Sequence, residues 1–273
     1  MKEVKELQEK ILEIYLVFKK ICEDNNFRYF AIGGTCLGAV RHKGFIPWDD
    51  DMDIAMPRSD YEKFKKMIYP KSYTLYDEYS GEHNENFFSK FHDINTTYIQ
   101  KTSIKFSDRD TGVFIDVMPL DSLPNEKIKQ KFFTKKLEIL HGLNRSQKDF
   151  YGVPRIYKIF RPIIKLLPLN IFRNQFLKSV KKYDFDNSKL LYTGMLWSYR
   201  SHKFVFMKEW FINGIEVPFE NTTIPIPSEY NLYLTNHFGD YMTIPANKEE
   251  RSHNALIMLT IGYKEYRNTY LTK

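Results

Sequence analysis

The stretch GFIPWDDDMDIAMP, residues 44–57, sets four aspartates (Asp49, Asp50, Asp51 and Asp53) into five positions and runs straight into apolar, strand-like residues. Residues two apart on a strand face the same side, so the spacing predicts Asp51 and Asp53 on one face. Like charges that close repel, and a cation between them relieves the repulsion. Magnesium suits such a pair, because it takes one or two carboxylates together with phosphate oxygens. A third carboxylate, Asp116 in GVFIDVMP, stands mid-strand among apolar residues, where an unpaired charge is costly. A metal shared with Asp51 and Asp53 would offset that cost. Asp49 and Asp50 read as solvated loop carboxylates. A calcium loop competes on spacing, since Asp49, Asp51, Asp53 and Asp60 fall at positions 1, 3, 5 and 12. Ile54 stands where that loop needs glycine, and strand patterning replaces the flanking helices.

Around the aspartates the pattern alternates helix and strand. Val4, Leu7, Ile11, Ile14, Phe18 and Ile21 recur at helical spacing, predicting an amphipathic helix over 3–23 that packs on a sheet. FRYFAI (27–32) reads as a strand, GGT (33–35) as a tight turn and CLGAVRH as a short helix. After DIAM (53–56), Ser59 and Glu62 have the spacing of a capping box opening a helix to about Ile68. YTLYDEY, FFSKFHDI, TYIQKT and GVFIDVM supply further strands, giving a mixed sheet of about five closed off by Pro119 and Pro124. Residues 125–147 and 156–183 are helical and basic in pattern, broken at Pro162 and Pro168. Ser228 reads as the cap of a helix that Gly239 ends. The expectation is an α+β fold: a core over 1–124, a helical subdomain over 125–200, and a C-terminal segment over 201–273 packed on the core.

The chain has 273 residues and a net charge of +7, which suits nucleotides, anionic membranes and phosphorylated substrates alike. Two cysteines without C-x-x-C spacing argue against a zinc site and a disulfide scaffold and for a cytoplasmic setting. Charges interrupt the N-terminal helix every few residues, so it reads as neither signal peptide nor membrane span.

Gly33 and Gly34 permit close backbone approach, and the helix after them would aim amide groups at a phosphate. The order apolar-G-G, D-x-D, apolar-D-apolar is the signature of the nucleotidyltransferase fold. AIGGTCLGAVRHKGFIPWDDDMDIAMPRSDYEKF, GVFIDVMPLD and HFGDYMTIPANKEERSHN resemble the LicD family of phosphorylcholine transferases, related to fukutin-type transferases. The resemblance covers nearly the whole chain and is least distinctive over 125–200. It implies a nucleotidyltransferase-like mixed sheet flanked by helices. It assigns Gly33, Gly34 and Thr35 to a phosphate turn and Asp51, Asp53 and Asp116 to catalysis and divalent metal. The cysteine-rich zinc loop of the fukutin-related branch has no counterpart, which favours the bacterial branch.

Arg41 is the preferred pyrophosphate contact among Arg41, His42 and Lys43, because a guanidinium grips two phosphate oxygens; a solvated basic turn is the competing reading. Trp48 fixes the approach to the aspartates or stacks on a base. Trp197 and Tyr199, close to Tyr192, offer aromatic faces to a choline headgroup, against a plain core reading. His92, His202, His237 and His253 stand singly and read as structural, and Asp240 has no derivable role. The basic, apolar stretch 155–183 reads either as helices packed on the core or as an interfacial segment at an anionic inner leaflet.

The function implied is transfer of phosphorylcholine from CDP-choline, with one or two Mg²⁺ (Mn²⁺ as the alternative ion), to a hydroxyl of a cell-surface glycan precursor. Teichoic acid and lipid-linked oligosaccharides are the acceptor classes. The site is expected at the cytoplasmic face of the membrane, with peripheral association and no specific nucleic acid. Rivals are nucleotidyl transfer, CDP-ribitol, CDP-glycerol or CDP-ethanolamine as donor, and a non-catalytic basic protein that binds membrane or nucleic acid.

Overall fold

The computed structural model describes residues 2–84, 86–148, 154–185, 187–193, 205–244 and 254–271. Its elements run α1 (Lys2–Asn25), β1 (Phe30–Ala31), α2 (Gly33–His42), β2 (Asp53–Pro57), α3 (Arg58–Phe64), β3 (Tyr73–Tyr76), β4 (Ser89–Asp93), β5 (Thr97–Gln100) and β6 (Phe114–Ser122). There follow α4 (Lys127–Gln147), α5 (Arg155–Ile159), α6 (Arg161–Lys165), α7 (Ile171–Val180), β7 (Leu190–Thr193) and β8 (Val205–Met207). The chain continues through β9 (Ile215–Phe219), β10 (Thr222–Ile226), α8 (Tyr230–Phe238), β11 (Ala255–Met258) and α9 (Tyr263–Tyr266).

This is the α+β arrangement expected, with a mixed sheet of seven strands rather than about five. Five of them follow the order β1-β2-β6-β4-β3, while β7 pairs with β6 and β8 with β7. Only the β2–β6 pairing is parallel within this sheet. The expected strand TYIQKT is not in it, because β5 pairs with β11 in a separate ribbon. FRYFAI is reduced to the two residues of β1.

Pro119 does not end its strand, and β6 runs through it to Ser122. A strand proline is tolerated where no ladder partner needs its N–H. On one side of β6, the pairing with β4 stops at Val117 and that with β7 starts at Leu120, so Pro119 falls in the step between them.

Strand alternation gives the sheet two unlike faces. Ile54, Phe91, Ile115 and Val117 are fully buried on one, against the predicted apolar stripe of α1. Phe18 of α1 meets Phe64 at 5.1 Å and Phe91 at 6.3 Å between ring centroids. Each such side chain is worth about 1.5–3 kcal/mol of burial. The other face carries Asp53, Asp116, Lys90 and Tyr76 in one row, with Phe114 and His92 in the next.

Two predicted caps are absent. Ser59 lies inside α3, whose N-cap is Pro57, and Glu62 instead pairs with Arg58 at 3.1 Å and Lys181 at 2.8 Å. Glu229 rather than Ser228 precedes α8, and Ser228 donates its backbone N–H to the Trp210 carbonyl, while Gly239 ends α8 at φ +72° as expected. The helices α4 and α7 bury Phe133, Leu137, Phe176, Leu177 and Val180 in a second apolar cluster with Phe87, Leu123 and Tyr192. Among the described residues no helix is long and apolar enough to cross a membrane.

His92 is structural: its Nδ1 accepts the Gly112 N–H at 3.1 Å, and the ring is buried. Burial, then Lys90 and Lys264, lower its pKa to about 3, and burial with Arg145 and Arg173 lowers that of His141 to about 4. Between these values and about 6.5 the unfolded chain binds more protons than the folded one, so stability rises with pH. The contribution is complete above about pH 6.5 and is lost as pH falls towards 3. Each histidine adds at most about 1.4 kcal/mol per pH unit to the slope. Urea unfolding from pH 7 to 4 is expected to show it, with a shallower slope for His92→Gln.

Candidate active site

The parallel register of β2 and β6 sets Asp53 directly opposite Asp116, and the antiparallel register of β4 sets Lys90 on the other side of Asp116. Adjacent strands lie about 4.8 Å apart, so the two aspartates are immediate neighbours on one face. Lys90 Nζ donates to Asp116 Oδ1 at 2.9 Å and sits 3.3 Å from the centre of the Phe114 ring. Asp116 is therefore not the unpaired charge its apolar neighbours suggest. Its partner could have been found in the sequence, since Lys90 and His92 alternate with the apolar residues of FFSKFHDI.

Asp53 is buried, with 9% of its surface exposed. Burial first, then Asp51, Asp116 and Asp49, hold its carboxyl well above the usual range, with Lys90 opposing. Asp51, Asp116 and Asp49 thus lie near enough to Asp53 to act on its charge. Asp51 precedes β2 instead of lying on it, so its nearness comes from the loop rather than from strand alternation. Asp50 is 7% exposed and is not the solvated residue expected. Asp49 lies against α2, with Oδ2 placed 2.7 Å from where a Cβ on Gly34 would stand. Among the described residues, no three His, Cys, Asp or Glu side chains are already arranged to hold a metal ion.

The predicted glycine turn is the first turn of α2 itself, which starts at Gly33 with φ +55°. Positive φ favours glycine, and a Cβ there would stand 3.1 Å from Asp53 Oδ2. Two groups of the turn serve the scaffold. The Gly33 N–H donates to Tyr233 Oη at 2.7 Å, and Thr35 Oγ1 accepts the Asp53 N–H at 2.8 Å. The helix N-terminus, with its partial positive charge, therefore faces Asp49 and Asp53.

The aspartate loop folds back along α2. Gly34 and Gly38, four apart on one helix face, admit it: a Cβ on Gly38 would stand 2.5 Å from the Gly44 carbonyl oxygen. Gln8 Nε2 of α1 donates to the carbonyls of Ile46 at 3.0 Å and Asp49 at 2.7 Å. Glu220, in the β9–β10 turn, accepts the Phe45 N–H at 2.9 Å. Gln8, Glu220 and Tyr233 carry no sequence signal of this role, because each acts across a long chain separation.

Arg41 belongs to the last turn of α2. It sits near the far end of α2, about 12 Å along the axis from Gly33, and donates to the Tyr241 carbonyl at 2.6 Å. Trp48 packs against the core with its ring 6.2 Å from that of His42, which is a scaffold position. Trp197 and Tyr199 lie outside the described residues, as do His202 and His253. Asp240 accepts the Thr243 hydroxyl at 2.7 Å. Tyr98 of β5 is a residue that sequence reasoning missed. Burial, then Asp50, Asp51 and Asp116, raise its pKa, so it remains a neutral phenol beside the acids.

The chain is similar to several known proteins. The family described as LicD/FKTN/FKRP, nucleotidyltransferase domain, matches residues 26–144, which include α2, the aspartate loop, β2, β4 and β6. Lipopolysaccharide cholinephosphotransferase LicD of Haemophilus influenzae is 28% identical over 273 aligned positions, covering 92% of this chain and 96% of that protein. Mannosyltransferase regulator 4 of Saccharomyces cerevisiae is 27% identical over 50% of this chain and 12% of its own length. An uncharacterized protein of Rickettsia typhi is 39% identical over 22% of this chain and 21% of its own. Residues 26–144 match the nucleotidyltransferase domain of the LicD family. The chain is an enzyme, a phosphotransferase.

The packing of the aspartate loop on α2 can be tested by two substitutions. Gly38→Ala meets backbone and should cost about 1–3 kcal/mol. Gly34→Ala meets only the tip of the Asp49 side chain, which can turn away. Chemical denaturation should find Gly34→Ala within about 0.5 kcal/mol of the parent.

Proposed function

We propose that the protein transfers phosphorylcholine from CDP-choline to a hydroxyl of a cell-surface glycan, with Mg²⁺ as cofactor. The observation that carries this reading is the facing pair Asp53 and Asp116, backed by Asp51 and Asp49. The likeness to a lipopolysaccharide cholinephosphotransferase supports the choline phosphate group and a lipopolysaccharide-type acceptor. Teichoic acid and other lipid-linked glycans belong to the same acceptor chemistry. We read residues 1–124 as a nucleotidyltransferase-like core, 125–200 as a helical subdomain and 201–273 as a segment packed on the core, working at the cytoplasmic face of the membrane.

The donor set fits a hard divalent cation. It consists of carboxylate oxygens, it has a surplus of negative charge over Lys90, and the raised pKa of Asp53 marks a repulsion that a cation would relieve. Two carboxylates completed by substrate phosphate oxygens form the arrangement Mg²⁺ favours. Asp53 and Asp116, with Asp51, would hold it, and its chemistry is to neutralise the pyrophosphate and the departing CMP.

The residues of the chain divide the rest of the work. Thr35 and Tyr233 hold Asp53 and the first turn of α2 in place. Lys90 fixes Asp116 through Oδ1. Asp116 takes the proton of the acceptor hydroxyl as that oxygen bonds to the phosphorus of the choline phosphate group. The bond from phosphorus to the CMP oxygen breaks in line, and CMP leaves with the electron pair. Tyr98 of the β5–β11 ribbon packs on Phe114, in the next row of this face, at 4.8 Å between ring centroids.

Asp53→Asn should lower CMP release from CDP-choline by at least about a hundredfold while the melting temperature stays level or rises, because a repelling charge is removed. Residual activity near the parent level would remove Asp53 from the mechanism. The product mass separates choline from ribitol, glycerol or ethanolamine donors, and nucleotidyl transfer would instead place CMP on the product.

A further inference from the structure

We infer that α5 and α6 form a docking surface for an anionic lipid bilayer. Packing on the core would bury their apolar side chains, and the structure does the opposite. Ile159 is 69% exposed, Ile163 63% and Leu166 85%, with Ile156 and Phe160 also more than half exposed. Their spacings of three, four and seven gather them on one side. Tyr157 and Ile164, seven apart, turn instead towards the protein, and Tyr157 lies on Gly142 of α4.

The pair is firmly mounted. Ser146 Oγ donates to the Tyr157 carbonyl at 2.9 Å, and Gln147 Nε2 donates to the carbonyls of Leu167 and Pro168 at 3.0 and 3.1 Å. A contiguous apolar patch held rigidly in water marks an interaction surface. Charge identifies the occupant. Residues 150–183 contain eight Lys and Arg and no Asp or Glu, and Arg155, Lys158, Arg161 and Lys165 alternate with the apolar residues. Over residues 125–183 there are 15 Lys+Arg against 3 Asp+Glu, while the rest of the chain has 26 against 31. Arg155, Lys158 and Lys165 are exposed beside the apolar side chains, and large apolar side chains among Lys and Arg are the chemistry of interfacial helices on anionic lipid. That a lipid-linked acceptor is presented there rests on the proposed function; the surface itself does not.

The test is flotation of the full chain with vesicles of phosphatidylglycerol and phosphatidylcholine, against phosphatidylcholine alone. Two variants are compared: Ile159→Ser/Phe160→Ser/Ile163→Ser/Leu166→Ser, and Arg155→Gln/Lys158→Gln. All six positions are exposed, and circular dichroism checks that the fold is kept. The parent should float with the anionic vesicles only. Each variant should bind at least about tenfold more weakly. No binding by the parent, equal binding to neutral vesicles, or unchanged binding by the serine variant overturns the inference. So does a parent dimer that the serine variant dissociates in the absence of lipid, which would assign the patch to a second copy of the chain. CMP release with a water-soluble acceptor is measured separately, so loss of activity with intact flotation counts against the proposed function alone.

Discussion

Two carboxylates in direct register on adjacent strands repel each other, and the structure depends on keeping Asp53 and Asp116 in that position. At strand spacing and an effective dielectric near 20, two full charges would cost about 3 kcal/mol. The protein meets this in three ways. Lys90 neutralises Asp116 from the next strand, the raised pKa of Asp53 lets it shed its charge, and the N-terminus of α2 points a partial positive charge at Asp49 and Asp53. Each measure is local, and the raised pKa of Asp53 shows that together they are incomplete.

The scaffold follows from that constraint. The Asp53 backbone is anchored by its N–H on Thr35, which fixes the point from which the side chain projects. The loop before it is fastened from α1 by Gln8, from the β9–β10 turn by Glu220, and from below by the smooth glycine face of α2. Tyr233, fully buried on α8, ties the start of α2 to a segment 200 residues away. The site is therefore made by contacts between distant parts of the chain, although its acids come from two short motifs.

That division explains what could be read from sequence. The acids themselves, the glycine pair and the strands bearing Asp53 and Asp116 were legible, because period-two alternation and isolated charges in apolar runs are local signals. Lys90 carried the same signal and was passed over because lysine on a strand suggests solvent. The two failed caps, at Ser59 and Ser228, show propensity yielding to tertiary partners: Glu62 is taken by Arg58 and Lys181, and the Ser228 N–H by Trp210. Strand number was misjudged because β7 lies within a region whose pattern is helical and basic, and β5 leaves the main sheet for β11. Arg41 stands at the far end of α2 from Gly33, and its bond to the Tyr241 carbonyl across 200 residues had no local signal.

The same separation settles how the net charge of +7 should be understood. A basic protein that handles a nucleotide donor would be expected to line its site with cations, yet this site is dominated by aspartates, and the α2 N-terminus is already occupied by the protein's own carboxylates. A phosphate approaching those acids would meet a repulsion that a cation between them relieves. The basic residues are then left for the helical region, where they surround apolar side chains that no part of the described chain covers. The acids cluster in the aspartate loop and the strands beside it, while the excess of Lys and Arg falls in residues 125–183. A single average over the chain conceals both.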